Sequence, residues 1–88
     1  MSEREIIESL ERLRAEIDRL EGAPAETRAH LEGLVADIER RLAEEAEEEE
    51  TGGLLDALRE SVDRFEVEHP RAAGILNDIL VKLGAMGI

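Results

Sequence analysis

The sequence predicts an all-α protein, and three observations carry that expectation. Apolar residues recur at steps of three and four along most of the chain. Every periodic segment follows that spacing, and none steps by two as a strand would. Glu, a good helix former, supplies 18 of the 23 acidic residues. Read in order, these features give four amphipathic helices, arranged as two helical hairpins in a small bundle.

The first helix begins at a capping-box pattern, Ser2-x-x-Glu5, in which the Ser hydroxyl and the Glu carboxylate satisfy two amide groups the helix leaves open. Its stripe is Ile6, Leu10, Leu13, Ile17 and Leu20, spaced as a heptad seam. Gly22 is expected to supply a left-handed stop, and Pro24 suits the first turn of the next helix. A stop and a start so close together imply a tight antiparallel hairpin.

The second helix is expected from about Pro24 into the mid-forties, with Leu31, Leu34, Val35, Ile38 and Leu42 on its apolar face. The run Glu44–Glu50 follows, then Thr51-Gly52-Gly53. Carboxylates at a helix C-terminus repel one another and meet the negative end of the macrodipole. Residues 45–53 therefore read as an acidic flexible linker between a charged hairpin (1–44) and a more apolar one (54–88).

The third helix is expected to begin near Leu54, with Leu55, Leu58, Val62 and Phe65 as its stripe and His69 one step beyond. Pro70 lacks an amide hydrogen and biases His69 away from helical geometry, which marks a boundary. The fourth helix starts there, with Ala72, Leu76, Ile79, Leu83 and Met86 in register. Ile75, Leu80 and Val81 widen its apolar face to more than half the circumference.

With 88 residues the chain is a single domain (1–88), one that buries only about 60–65% of its unfolded surface. There are no cysteines, so disulfides and thiolate metal sites cannot reinforce it, and oligomerisation is the remaining aid. One flanking helix covers a stripe of roughly 100°. The wide face of helix four therefore predicts a homodimer completing the bundle, with Phe65, Ile75, Leu76, Ile79, Leu80, Leu83 and Met86 as the association surface.

A net charge of −12 opposes phosphate backbones and anionic lipid, so neither nucleic acid nor membrane is an expected partner. The charge is uneven. Residues 1–50 carry seven basic and 17 acidic side chains, residues 51–88 four and six. Phe65 is the sole aromatic, which leaves no base-stacking platform. No signal-peptide pattern opens the chain and no apolar run approaches a membrane span, which makes the cytoplasm the expected location.

Leu58-Arg59-Glu60, Phe65-Glu66, His69-Pro70 and the closing Leu83-Gly84-Ala85-Met86-Gly87-Ile88 carry a family likeness. They resemble a family of small bacterial proteins of unknown function with a Phe-Glu-x-x-His-Pro segment and a Gly-Ile end. Leu34-Val35-Ala36-Asp37-Ile38-Glu39 is compatible with it. The resemblance implies an uncharacterised cytoplasmic bacterial protein and brings no activity with it.

Glu66 and His69 form the sharpest chemical candidate, because an i, i+3 carboxylate–imidazole pair is used by dimetal helical bundles. Two copies would be needed, and a dimer could supply the second. The competing reading, which is favoured, has His69 packing or capping at the corner before Pro70. Glu26 and His30, an i, i+4 pair, lack a third ligand and read as solvated surface. Ser2, Ser9 and Ser61 are not set in a nucleophile elbow, and no phosphate-binding glycine loop is present.

The sequence therefore predicts no enzyme, no cofactor and no catalytic or metal residues. It predicts a non-enzymatic protein–protein interaction or structural module. The alternatives are an acidic regulatory protein that uses the 44–50 run to dock a basic partner, and a metal-binding bundle built on Glu66 and His69.

Overall fold

A computed structural model describes residues 3–20, 22–43 and 48–85, with side chains described for these except 48–51. The described residues form four helices: α1 (Glu3–Arg19), α2 (Ala25–Ala43), α3 (Glu48–Phe65) and α4 (Pro70–Ala85). They contain no strand. Ser2, Met86 and residues 44–47 lie outside the described residues, as does the expected capping box with them.

The helices meet in a ring, α1 on α2, α2 on α3, α3 on α4 and α4 on α1, and the diagonal pairs do not approach. Cross-helix partners run in opposite directions along the α1–α4 seam. Ser9 lies near Lys82, Arg12 near Asp78, and Arg19 shares a groove with Pro70. The result is an antiparallel four-helix bundle measuring 35 × 23 × 19 Å.

Each stripe turns inward. Ile6, Leu10, Leu13 and Ile17 of α1 are buried, as are Leu31, Leu34, Val35 and Ile38 of α2. Leu54, Leu58 and Phe65 come from α3, and Ala72, Ala73, Leu76, Ile79 and Leu83 from α4. Nearly all of these residues form one cluster.

The closure of the ring changes what helix four does. Its wide apolar face is flanked by two helices, α3 and α1, rather than one. Phe65, Leu76, Ile79 and Leu83 are each under 5% exposed inside a single chain, and Ile75 and Leu80 pack partly buried against the same core. Most of the face expected between two copies is thus the interior of one copy. Met86, the last residue of that expected surface, lies outside the description.

The third helix also departs from expectation. It starts at Glu48, six residues before Leu54, so Thr51, Gly52 and Gly53 are helical rather than linker. At the C-terminus of α2 the carboxylates of the acidic run would be unfavourable. Glu48, Glu49 and Glu50 instead occupy the N-terminal end of α3, where acidic residue types are favoured by the macrodipole.

The corners follow from backbone bookkeeping. α1 closes with the Leu20 amide donating to the Ile17 carbonyl (3.1 Å), and the Ala23 amide then donates to that of Leu20 (3.0 Å). Gly22 has no left-handed φ, so the expected glycine stop is replaced by tight turns. The Pro24 carbonyl accepts from Thr27 (3.0 Å) and Arg28 (3.3 Å), which opens α2 one residue earlier in the chain than its first helical residue, Ala25. At the other corner the His69 amide donates to the Phe65 carbonyl (2.8 Å), and the His69 carbonyl accepts from Ala73 (3.0 Å). One residue thus ends α3 and begins α4, with Pro70 at the first helical position, where its missing amide hydrogen costs nothing.

Candidate functional site

Two polar clusters interrupt the apolar interior, and both are built around serines on core-facing positions. Ser9 lies three residues after Ile6 and four before Leu13, which puts it on the α1 seam, fully buried. Its hydroxyl donates to Asp78 Oδ2 (2.7 Å) and accepts from Lys82 Nζ (2.9 Å) and Arg12 (3.1 Å). A hydroxyl has one hydrogen and two lone pairs, so every bond it can make is used. Lys82 also pairs with Asp78 at 2.9 Å, one turn along α4, and Arg12 reaches the same oxygen at 3.5 Å. The Ser9 and Lys82 hydrogen bonds hold the Asp78 carboxyl below its usual range, against the opposing effect of partial burial.

Ser61 occupies the matching position on α3, three residues after Leu58 and four before Phe65, and is buried. Its hydroxyl donates to the Ala57 carbonyl one turn back (2.8 Å), and His30 Nε2 of α2 lies 2.8 Å from the same oxygen. Because the single hydroxyl hydrogen goes to Ala57, the His30 nitrogen must carry the hydrogen of the second bond. The histidine is therefore a donor here and leaves no lone pair on that nitrogen to take the serine's proton. Its ring lies 5.7 Å from that of Phe65, which also has the His69 ring at 5.9 Å and the Arg64 guanidinium at 5.5 Å.

The residues singled out by the sequence are thus dispersed. His30 turns toward Ser61 while Glu26 is exposed. His69 is half-buried at the α3–α4 corner, and Glu66 is exposed in the turn before it. Among the described residues, no group of three or more His, Asp or Glu is placed to hold a metal ion. The two buried serines were missed as core positions because a stripe sought only among apolar residues passes over them. Their spacing from Ile6, Leu13, Leu58 and Phe65 was the available signal.

An open groove of about 530 Å³ runs along the α1–α4 seam beside the first cluster. It is lined by Arg12, Arg19 and Arg71, by the carboxylates Glu16 and Asp78, and by Ala15, Pro70, Gly74 and Ile75. Elsewhere exposed carboxylates alternate with exposed arginines such as Arg4, Arg14, Arg59 and Arg64 and outnumber them on α1, α3 and the α3–α4 corner. Glu8, Glu11 and Asp18 of α1, Asp56, Glu60 and Asp63 of α3, and Glu66 and Glu68 at the corner are all exposed.

Residues 6–88 match the model of DUF4404, a domain of unknown function. The chain belongs to the DUF4404 family. No curated protein and no solved structure matches it. The expectation of a small uncharacterised helical family therefore holds across nearly the whole length. No described helix of this DUF4404 chain is long and apolar enough to cross a membrane.

Proposed function

We propose that this chain is a non-enzymatic protein–protein association module that offers an acidic, rigid helical surface to a basic partner. The observation that carries the reading is the division of labour between the two sides of each helix. The apolar stripes are consumed in one internal cluster, while carboxylates outnumber arginines on the exposed faces of α1, α3 and the α3–α4 corner. The hydroxyls of Ser9 and Ser61 are engaged in bonds that join helix to helix, which supports a scaffold role for both clusters.

Self-association as a homodimer belongs to the same reading as a second form of partner. The exposed large apolar residues among those described are Ile7, Val67 and Val81. They sit on α1, in the corner turn and on α4, and offer no broad shared face, so a different protein is the partner we favour. The location that goes with this reading is the bacterial cytoplasm.

The test combines mass in solution with charge reversal. Light scattering over a concentration series is expected to give the mass of one chain. Partners captured by the wild type, then purified, should bind it directly with an affinity that falls as salt rises. They should be lost in a Glu8→Lys, Glu11→Lys variant or in an Asp56→Lys, Glu60→Lys variant. Binding that ignores both salt and charge reversal would refute the acidic-surface reading.

A further inference from the structure

The α1–α4 groove reverses the charge of the molecule locally. The chain carries −12 overall, yet three arginines line this one groove against two carboxylates. One of those, Asp78, is already matched by Lys82, Arg12 and the Ser9 hydroxyl. Arg19 and Arg71 make no ion pair among the described residues. Arg71 is the second residue of α4, a helix with no acidic residue in its first turn. A cation there adds to the positive end of the macrodipole instead of offsetting it. The amide of Arg71, which lines the groove, also precedes the first internal hydrogen bond of α4, the one the Ala73 amide makes to His69. Two unpaired guanidiniums, a positioned third and an open helix end thus surround one concavity.

We propose that this groove binds a phosphate monoester bearing a small apolar group. Guanidinium forks and the Arg71 amide suit a dianionic phosphate. Ala15, Gly74 and Ile75 give the organic substituent an apolar stretch of the groove lining. Arg12 is held at the groove by Ser9 and Asp78, so the buried network positions one of the three arginines. Gly74 faces open space, since a Cβ built there meets nothing within 4 Å. This site does not depend on the acidic-surface reading, which concerns other faces of the bundle.

The experiment titrates the full chain with phenyl phosphate, inorganic phosphate and benzoate at low ionic strength, following backbone amides by NMR. Saturable shifts at Arg71 and Gly74, both of which line the groove, are expected, with phenyl phosphate the tightest of the three. Arg71→Ala and Arg19→Ala should each weaken it about tenfold, the scale of one charge-assisted hydrogen bond. Gly74→Leu should fold at least as well as the wild type, because it replaces a helical glycine next to open space, and should lose phenyl phosphate by filling that stretch of the lining. Shifts that never saturate, or that appear equally at Arg59 and Arg64, would overturn the site. Unchanged binding in Gly74→Leu would do the same, and benzoate binding as tightly as phenyl phosphate would overturn the phosphate assignment.

Discussion

Ser9 of α1 and Asp78 of α4 are joined by a 2.7 Å hydrogen bond although 69 residues separate them in the chain. This bond fixes the register of the first helix on the last, the contact that closes the ring. Ser9→Ala keeps the backbone and the adjoining Lys82–Asp78 pair but removes the hydroxyl that three side chains share. Asp78 is partly exposed and can recruit water, so the loss should be about 1 kcal/mol rather than the full cost of an orphaned buried charge. Thermal denaturation should register this as a drop of about 4–8 °C for a domain of this size. An unchanged midpoint would mean that the bond contributes nothing to closing the bundle.

The same carboxylate gives a pH dependence with a definite sign. Its pKa in the folded chain lies below the ordinary 3.8, because Ser9 and Lys82 hydrogen-bond to the ionised form. The stability it contributes is therefore fully present above about 3.8 and is lost as pH falls through the lower folded value. Asp78→Asn should be less stable than the wild type at pH 7. The two denaturation curves should converge as the pH drops below 3.8. A difference that stays constant to pH 2 would show that the ionisation of Asp78 is not coupled to folding.

How much of this was legible in the sequence divides along physical lines. The apolar stripes of Ile6–Ile17, Leu31–Ile38 and Ala72–Leu83 turn inward where the three-four spacing puts them, because that periodicity belongs to the helix itself. His69-Pro70 marked a true boundary for the same local reason. What a stripe packs against is not local, and the width of the α4 face fitted either a second copy or two flanking helices. The start of α3 was hidden because an acidic run is unfavourable at one helix end and favourable at the next, and the sequence does not say which end owns it. On α3 the buried stripe is Leu54, Leu58, Ser61 and Phe65, whereas Leu55 and Val62 are only partly buried. A stripe traced through apolar residues alone could not place that polar member. The groove was invisible for a related reason: Arg12, Arg19 and Arg71 meet only once α1 lies antiparallel to α4.

Gly33 lies in the middle of α2, exposed, and a Cβ built on it meets nothing within 4 Å. Its φ is outside the left-handed region, so no conformational need holds a glycine there. Gly33→Ala should stabilise the chain by about 0.5–1 kcal/mol, chiefly by restricting the unfolded ensemble. Chemical denaturation should show a higher midpoint with an unchanged slope. A lower midpoint would indicate that the face of α2 around Gly33 makes a contact that a methyl group obstructs.

The final expectation concerns the fourth helix, where a surface reading and a core reading give opposite outcomes. Leu76 and Ile79 are fully buried within one chain. Truncating Leu76 to Ala should cost about 2–5 kcal/mol, the sum of lost transfer energy and the cavity left behind. Ile79→Asp would put a charge without a partner into the same cluster and should leave the chain unfolded at any concentration. Had these residues formed the face between two copies, Ile79→Asp would instead give a folded monomer from a wild-type dimer. The measurements that separate the two are circular dichroism of the variant and the melting temperature of the wild type across a wide concentration range. An unfolded variant and a concentration-independent wild-type midpoint are expected, because the cluster that α4 completes is supplied by α1, α2 and α3 of its own chain. A helical, monomeric Ile79→Asp chain would move the apolar face of α4 from the core back to the surface.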